Sequence, residues 1–341
     1  MTNFSHTGFS ARVLADSVSP NGVRLTTLEA TFPRPILSEV NTHRALSRNS
    51  ASSRAIPVIK QIRKLLAHPF VPTKIGVNQS GMQASRFLEG DELRKAQENV
   101  ILKRDRAVIG ALEDLVGREY VIKAFGAELP NIFANGFDDK ALSVVDAILA
   151  HYGKVLEAQK IVPGFETPEG FLNIHKQTLN RYMEPFMWHT AVISATDWDN
   201  FYALRIHENA QPEIDEISRL MKDAMDASTP VSLNYGEWHL PFVQDEEKTL
   251  ITDENIDSWK KISSGRTARV SYETHNGTRD TVKDTELSTG LENDGHMSPF
   301  EHVATPVEDD GYIGNFRGWL QMRKTIKFED NYGAKLRSVI E

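Results

Sequence analysis

The sequence predicts an α+β fold, and three stretches carry that reading. GVRLTTLEATF at 22–32 mixes β-branched and apolar residues in strand fashion and stops at the Pro33 and Pro35 punctuation. Through most of 58–225, apolar residues recur at three- and four-residue spacing, which is the helical period. In the C-terminal part, TARVSYET (267–274) reads as a strand and DTELSTGLENDG (284–295) as a helix closed by glycine.

The remaining elements follow in order. ILSEVNTHRALS (36–47) reads as a helix of about three turns with Ile36, Val40 and Leu46 apolar, so Arg44 and Arg48 would stand one turn apart, as would His43 and Ser47. NSASSR (49–54) then lies at or beyond the helix end, where hydroxyls and free backbone N–H groups can cup an anion. VIKQIRKLLA, ELRKAQENVILKRDRAVIGALEDLV, ALSVVDAILAHYGKVLEAQ and PEIDEISRLMKDAM are the helical stretches, with the amide-rich loop VNQSGMQA (77–84) between the first two. Residues 226–262 are irregular and acidic, and HMSPFEH and NFRGWLQMRK complete the chain's motifs. The expected organisation is a single large catalytic unit over 1–341. Within it lie a strand–helix signature at 20–57, a helical region at 58–225, a connector at 226–262 and a C-terminal segment at 263–341.

Composition narrows the chemistry. A 40% hydrophobic and 25% charged chain folds as an ordinary globular protein. A formal net charge of -8 argues against a surface that coats nucleic acid, whereas a local basic cluster can still attract a small anion. MTNFSHTGFSARV lacks the apolar core of a signal peptide, and no stretch reaches the about 18 apolar residues of a membrane span, so a cytoplasmic location without membrane contact is expected. There is no cysteine, which removes disulfides, thiolate metal sites and every thiol nucleophile.

THRALSRNSASSR (42–54) places His43, Arg44, Arg48 and Arg54 among hydroxyl and amide side chains with no carboxylate. Arginine offers paired donors and serine completes a cage, the chemistry of phosphate recognition; a solvated helix end is the plainer alternative. In SATDWDNFYALRIHENAQPEI (194–214), Trp198, Phe201 and Tyr202 are spaced for a core, and Asn200 and Arg205 among them would need partners. His296, Glu301 and His302 are metal-ligand types, but HMSPFEH matches no standard zinc spacing and no metal is expected. No G-x-G-x-x-G, P-loop or H-E-x-x-H pattern occurs.

Taken together, these stretches resemble the flavin-dependent thymidylate synthases. His43, Arg44, Ser47, Asn49, Ser52 and Arg54 match that family's signature; Asn200, Arg205 and Ala210-Gln211 before Glu213 match its late helix; ARVSY (268–272) and GHMSPFEH (295–302) match its opening strand and its Phe-Glu-His element. The order differs, because the last two elements precede the signature in the family and follow it here. This reads as circular permutation or internal rearrangement, with NFRGWLQMRK as a degenerate second copy of the passage into the signature. Residues 266–324 are therefore expected to pack beside residues 22–57.

The resemblance implies a twisted, mixed or largely antiparallel sheet packed with long helices, plus a helical insertion at 84–160. It implies FAD as cofactor, NADPH and methylene-tetrahydrofolate as co-substrates, a pyrimidine deoxynucleotide monophosphate as substrate, and a homotetramer in which Arg54 and Arg205 serve one pocket from different chains. A cysteine-free chain fits such chemistry, since the usual thiolate addition at C6 of uracil is closed to it. Residue by residue, Arg205 would contact the pyrimidine ring, and Arg205 and Ser52 are the expected catalytic residues. Ser50, Ser52 and Arg54 would hold phosphate and sugar with Glu39 nearby, and either Lys176 or Arg181 would add a basic group. Thr42, His43, Arg44 and Asn200 would line the flavin site, and Ser298 and Glu301 would meet its phosphate or ribose. Thr42, Ser50, Ala55 and Thr196 stand where the family has Arg, Glu, Tyr and Arg, so the base is left open between uracil and cytosine. A non-catalytic nucleotide- or flavin-binding relative is the alternative from another class; a nucleic-acid-modifying enzyme is disfavoured by the acidic balance.

Overall fold

In the computed structural model, which describes residues 8–81, 83–272, 279–331 and 333, the strand expected at 22–32 forms as Arg24–Pro33. Residues 1–7 of the N-terminal reading, Met82 of VNQSGMQA and residues 273–274 of TARVSYET lie outside the described residues. In chain order the elements are β1 (Ser10–Val18), β2 (Arg24–Pro33), α1 (Leu37–Asn41) and β3 (Ser47–Ser50), then α2 (Val58–Ala67), α3 (Gly90–Val116), α4 (Arg118–Phe125), α5 (Leu129–Asn135), α6 (Asp139–Ile161) and α7 (Lys176–Met183). After these come β4 (Trp188–Ala195), α8 (Asp199–Arg205), α9 (Pro212–Asp226), β5 (Val231–Ser232), α10 (Asp245–Lys248), α11 (Ile256–Ala268), α12 (Thr281–Asn293), β6 (Ala304–Pro306), β7 (Tyr312–Ile313), β8 (Phe316–Arg317) and β9 (Trp319–Gln321). Helices and a mixed sheet together make the class α+β.

The chain divides into two compact units. Of the described residues, one unit holds Gly8, Pro33–Pro35 and the stretch from Ser53 to Trp188; the other holds Phe9–Phe32, Ile36–Ser52 and those from His189 onward. In the second, the sheet order is β3-β4-β2-β1-β5, with β1/β2 and β3/β4 antiparallel and β1/β5 parallel. Because side chains alternate along a strand, β2 serves two faces. Leu28, Ala30 and Phe32 join Ala191, Ile193 and Ala195 of β4 in a core closed by Trp198, Phe201 and the α9 stripe Ile214, Ile217, Met221 and Met225. On the opposite parity, Leu25 packs with Val23, Ala304, Phe316 and Trp319, so the C-terminal segment covers the face that α9 does not. Described residues of 266–324 thus do lie against residues 22–52 within this unit: Trp319 Nε1 donates to the Val23 carbonyl at 3.2 Å, and Gln321 Nε2 donates to Ser47 Oγ at 3.0 Å.

The helical unit is held by a separate core. Val108, Ile109, Leu112, Leu115 and Val116 of α3 meet Val145, Ile148, Leu149 and Tyr152 of α6 and Leu179 and Met183 of α7. The stretch expected as an insertion at 84–160 therefore builds most of this core. Inside it, Asp105 is fully buried, ion-paired with Arg104 at 2.6 Å and accepting from the Phe137 amide at 2.9 Å; burial pushes its carboxyl above the usual range.

Three local expectations are corrected. The three-turn helix at 36–47 is only α1, preceded by a 3-10 turn at Arg34–Ile36, because Ser47–Ser50 pairs with Ser194–Ala191 of β4 instead. Strand pairing outweighs the weak helix preference of Thr, Ser and Asn, and it takes Arg48 and Ser47 off any shared helix face with Arg44 and His43. TARVSYET is not a strand: Thr267 and Ala268 end α11, and Arg269–Tyr272 is a 3-10 turn. Here Ser264 and Thr267 donate to the carbonyls of Lys260 and Ser263, a helical back-bond that absorbs β-preferring hydroxyls. Finally, β4 lies in a region expected to be helical, although WHTAVISA carries the β-branched signature of a buried strand.

The 226–262 connector is partly ordered, holding β5, α10 and the start of α11. α11 and α12 touch so closely at Gly265 that a Cβ there would sit 2.1 Å from the Asp284 carbonyl oxygen. Gly265→Ala is expected to destabilise the protein by about 1–3 kcal/mol through overpacking. An unchanged urea midpoint would show that the two helices can move apart at no cost.

Candidate functional site

The short α1 and the turn after it deliver His43 to the late helix. Arg205, the last residue of α8, donates through Nε to His43 Nε2 at 2.8 Å and through Nη2 to Thr42 Oγ1 at 3.0 Å, with the Glu39 carbonyl at 3.4 Å. His43 is buried and packs edge-on against Phe201, centroids 4.9 Å apart. Arg48, on β3, donates through Nη1 to the His43 carbonyl at 2.6 Å. Burial, then Arg205 and Arg48, hold the His43 imidazole below its usual pKa, so it is neutral near pH 7. Burial also lowers the pKa of Arg48, with Glu301 opposing and Arg44 reinforcing the shift.

Glu39, Thr42, His43, Arg44, Arg48 and Arg205 thus form one basic neighbourhood in the sheet unit. Its nearby carboxylates are already engaged: Glu39 accepts from Ser38 Oγ at 2.6 Å, and Glu301 is ion-paired with Arg323. Asn200, on the same helix α8 as Arg205, is solvent-exposed. Arg205 does have the partners its burial requires, whereas Asn200 needs none.

Asn49 joins the signature to the C-terminal motifs. Its Nδ2 donates to the Thr267 carbonyl at 2.8 Å and its Oδ1 accepts from Ser298 Oγ at 3.1 Å. Ser298 and Glu301 lie on the 3-10 turn Ser298–Glu301 of HMSPFEH, which reads naturally from Pro299 at its second position. Neighbouring Ser47 accepts from Gln321 and from Asn315 Nδ2, each at 3.0 Å. Ser50 and Ser52 are half-buried in β3 and the stretch that follows it.

The helical unit holds the remaining expected residues. Arg54, Gln177, Thr178, Arg181 and Tyr182 line an open hollow of about 320 Å³. Both guanidinium groups are exposed there, and neither has a hydrogen-bond partner among the described residues. Lys176 is used differently: its ammonium donates to the Ala55 carbonyl at 2.8 Å. Asn180, fully buried, donates to the carbonyls of Ser53 and Ile56 at 2.6 and 2.9 Å. Lys176 and Asn180 therefore clamp the loop that carries Arg54, while Arg181 faces the hollow. Spacing alone could not separate Lys176 from Arg181; α7 places them on different sides of their work.

One group escaped sequence reasoning. Behind the sheet, Ser17 Oγ, His239, Thr27 Oγ1, Ser194 Oγ and His302 Nδ1 form an unbroken buried hydrogen-bonded chain, with steps of 2.9, 2.8, 2.6 and 2.7 Å. His302, a ligand type by sequence, is thereby occupied as a hydrogen-bonding core residue, and its Nε2 has no partner. Among the described residues, no three His, Asp or Glu side chains gather as a metal site, and no helix is long and apolar enough to cross a membrane. Comparison with known protein families, with curated proteins and with solved structures returned no match.

Burial holds both His239 and His302 at a pKa of about 3, against the usual 6.5. Between those values the unfolded chain binds protons that the folded chain refuses, so stability is complete above about pH 6.5 and falls as pH drops toward 3. The slope is on the order of 1 kcal/mol per pH unit per histidine. Urea midpoints at pH 7 and pH 5 should separate accordingly, and less so in His302→Gln; equal midpoints at the two pH values would contradict the neutral-core assignment.

Proposed function

We propose that this chain is a flavin-dependent thymidylate synthase-like enzyme, with that family's sheet-and-helix fold in permuted order. In this reading it methylates C5 of a pyrimidine deoxynucleotide monophosphate, dUMP to dTMP, with methylene-tetrahydrofolate as carbon donor and NADPH as reductant. The observation that carries the reading is Asn49, whose amide bridges Thr267 beside ARVSY and Ser298 of GHMSPFEH. Motifs separated by more than two hundred residues meet at one side chain, as a rearranged but intact motif set requires. A second support is the Arg54 and Arg181 hollow, whose paired donors, hydroxyl and amide suit a phosphate monoester.

The fit to FAD is uneven along the expected residues. His43, Arg44 and Arg205 supply imidazole and guanidinium groups with donor capacity left over, a set matched to ring carbonyls and phosphate. Ser298 and Glu301 are engaged by Asn49 and Arg323, so His43 and Arg44 are the residues assigned to hold the flavin. When bound, flavin supplies the redox chemistry that a cysteine-free chain cannot replace by thiolate addition. Arg205 contributes positive charge toward the pyrimidine ring, favouring the electron-rich state that C5 must reach before it attacks the one-carbon unit. Arg54 and Arg181 are the residues assigned to a phosphate monoester. Assembly as a homotetramer belongs to the same reading.

Two measurements test it. Purified protein supplied with FAD should show the yellow flavin spectrum and release tritium from C5 of labelled dUMP when methylene-tetrahydrofolate and NADPH are added, with labelled dCMP as the competing substrate. Arg205→Ala should lower release about 100-fold or more with flavin retained; normal turnover in that variant, or colourless inactive wild-type protein, would overturn the assignment. Arg54→Ala and Arg181→Ala should each weaken dUMP binding about 10- to 100-fold by isothermal titration, the worth of a charge-assisted phosphate contact. Unchanged affinity in both would remove the hollow from the site.

A further inference from the structure

Arg48 is the one cation of the signature that the functional reading leaves without a task. It is half-buried, its Nη1 holds the His43 carbonyl at 2.6 Å, and Nε and Nη2 have no partner among the described residues. Arg205 engages the same histidine from the other side, through the ring nitrogen Nε2 at 2.8 Å. A guanidinium has donors only, so Nε2 must be the acceptor, and the single proton of a neutral ring then sits on Nδ1. His43 Nδ1 makes no hydrogen bond to the described residues and is not among their buried unpartnered atoms, so it reaches solvent. Phe201, edge-on at 84°, fixes the ring plane.

We propose that Arg48 and Arg205 are a positioning pair that holds His43 as a neutral, Nδ1-protonated imidazole, so that His43 gives a hydrogen bond to a carbonyl or ring-nitrogen acceptor of the bound planar heterocycle instead of exchanging a proton with it. The proposal rests on the flavin–nucleotide reading only for the identity of that heterocycle. The charged groups facing His43 argue the same way from every side. Arg44 follows it in the turn, Arg48 lies on β3, Arg205 on α8, and the nearest carboxylates, Glu39 and Glu301, are bonded to Ser38 and Arg323. With two guanidinium groups at its carbonyl and its ring, an imidazolium would meet like charge while no carboxylate among the described residues is hydrogen-bonded to it, and burial lowers its pKa in the same direction. A fixed donor costs no reorganisation when charge develops on the acceptor, which is the use of such a group beside a ring that gains electrons.

The test reads the ring directly. In the full chain labelled with 15N-histidine, the resonances lost in His43→Gln identify His43, and long-range proton–nitrogen spectra should show an unprotonated Nε2 and a protonated Nδ1 at about pH 7 and above. Arg205→Leu should release the ring to the Nε2-protonated form and move its titration up toward the usual histidine value; Arg48→Met should raise the midpoint with the tautomer kept. An Nε2-protonated or cationic wild-type ring at pH 7, or an Arg205→Leu spectrum identical to wild type, would overturn the proposal. Added FAD should shift the Nδ1 proton resonance; FAD that binds by its absorbance and leaves this resonance in place overturns the contact. Protein that keeps the tautomer but binds no FAD counts against the functional reading and leaves the positioning pair standing.

Discussion

The sheet unit depends on one amide. Asn49 sits on β3, the terminal strand of its sheet, where one row of backbone groups lacks a neighbouring strand and needs cover. Its side chain ties that strand to the segment that follows, donating to Thr267 at the end of α11 and accepting from Ser298 in the 3-10 turn. Each bond is worth about 1 kcal/mol net, but losing the amide would strand a carbonyl and a hydroxyl in a buried place, at about 1–3 kcal/mol apiece. The C-terminal segment's seat on the sheet, and with it the neighbourhood of Glu301 and Arg323, follows from this pair of contacts.

Charge in the sheet unit is arranged against the average of the chain. Overall the protein is acidic, yet Arg44, Arg48 and Arg205 gather around a histidine that burial and those same cations keep neutral. Half-burial of Arg48 and Arg205 shields them from salt, so their field persists where a surface pair would be screened. The helical unit repeats the motif in simpler form, two exposed guanidinium groups across a hollow with the loop beneath them tied down by Lys176 and Asn180.

Where a signal was periodic and long, sequence and structure agree. The α3, α6 and α9 patterns and the β2 alternation formed with their apolar faces inward, because each buries enough side chains to decide its own conformation. Short segments were decided elsewhere. ALSRNS has no period of its own, and β4 drew it into a ladder; TARVSY has β-preferring residues, but contact with α12 at Gly265 kept it helical as far as Ala268. Among the site residues, the packing of the two ends was expected but the bond between Asn49 and Ser298 was not legible, and the hollow brings Arg54 and Arg181 together. Asn200 is not buried with Trp198 and Phe201, because core spacing of those two says nothing about the residue between them, which α8 turns to solvent. Glu301 was read as a ligand group without knowledge of Arg323, a partner that only the fold of NFRGWLQMRK could bring to it.

The hydroxyl–imidazole chain behind the sheet has a polarity that its unpaired end selects. A neutral imidazole offers one N–H and one lone pair, so where each inner hydroxyl spends its single proton within the chain, the orientation of one link sets the others. If the chain ran from Ser17 toward His302, the last imidazole would carry a stranded N–H at Nε2; run the other way, only a lone pair is left facing apolar surroundings, and a stranded acceptor is tolerated better than a stranded donor. His302 therefore starts the chain as an Nδ1 donor, Ser194, Thr27 and His239 pass the sense along, and Ser17 is its final acceptor. Replacing any one of these five groups by an apolar side chain would break that order and leave a buried neighbour without its partner.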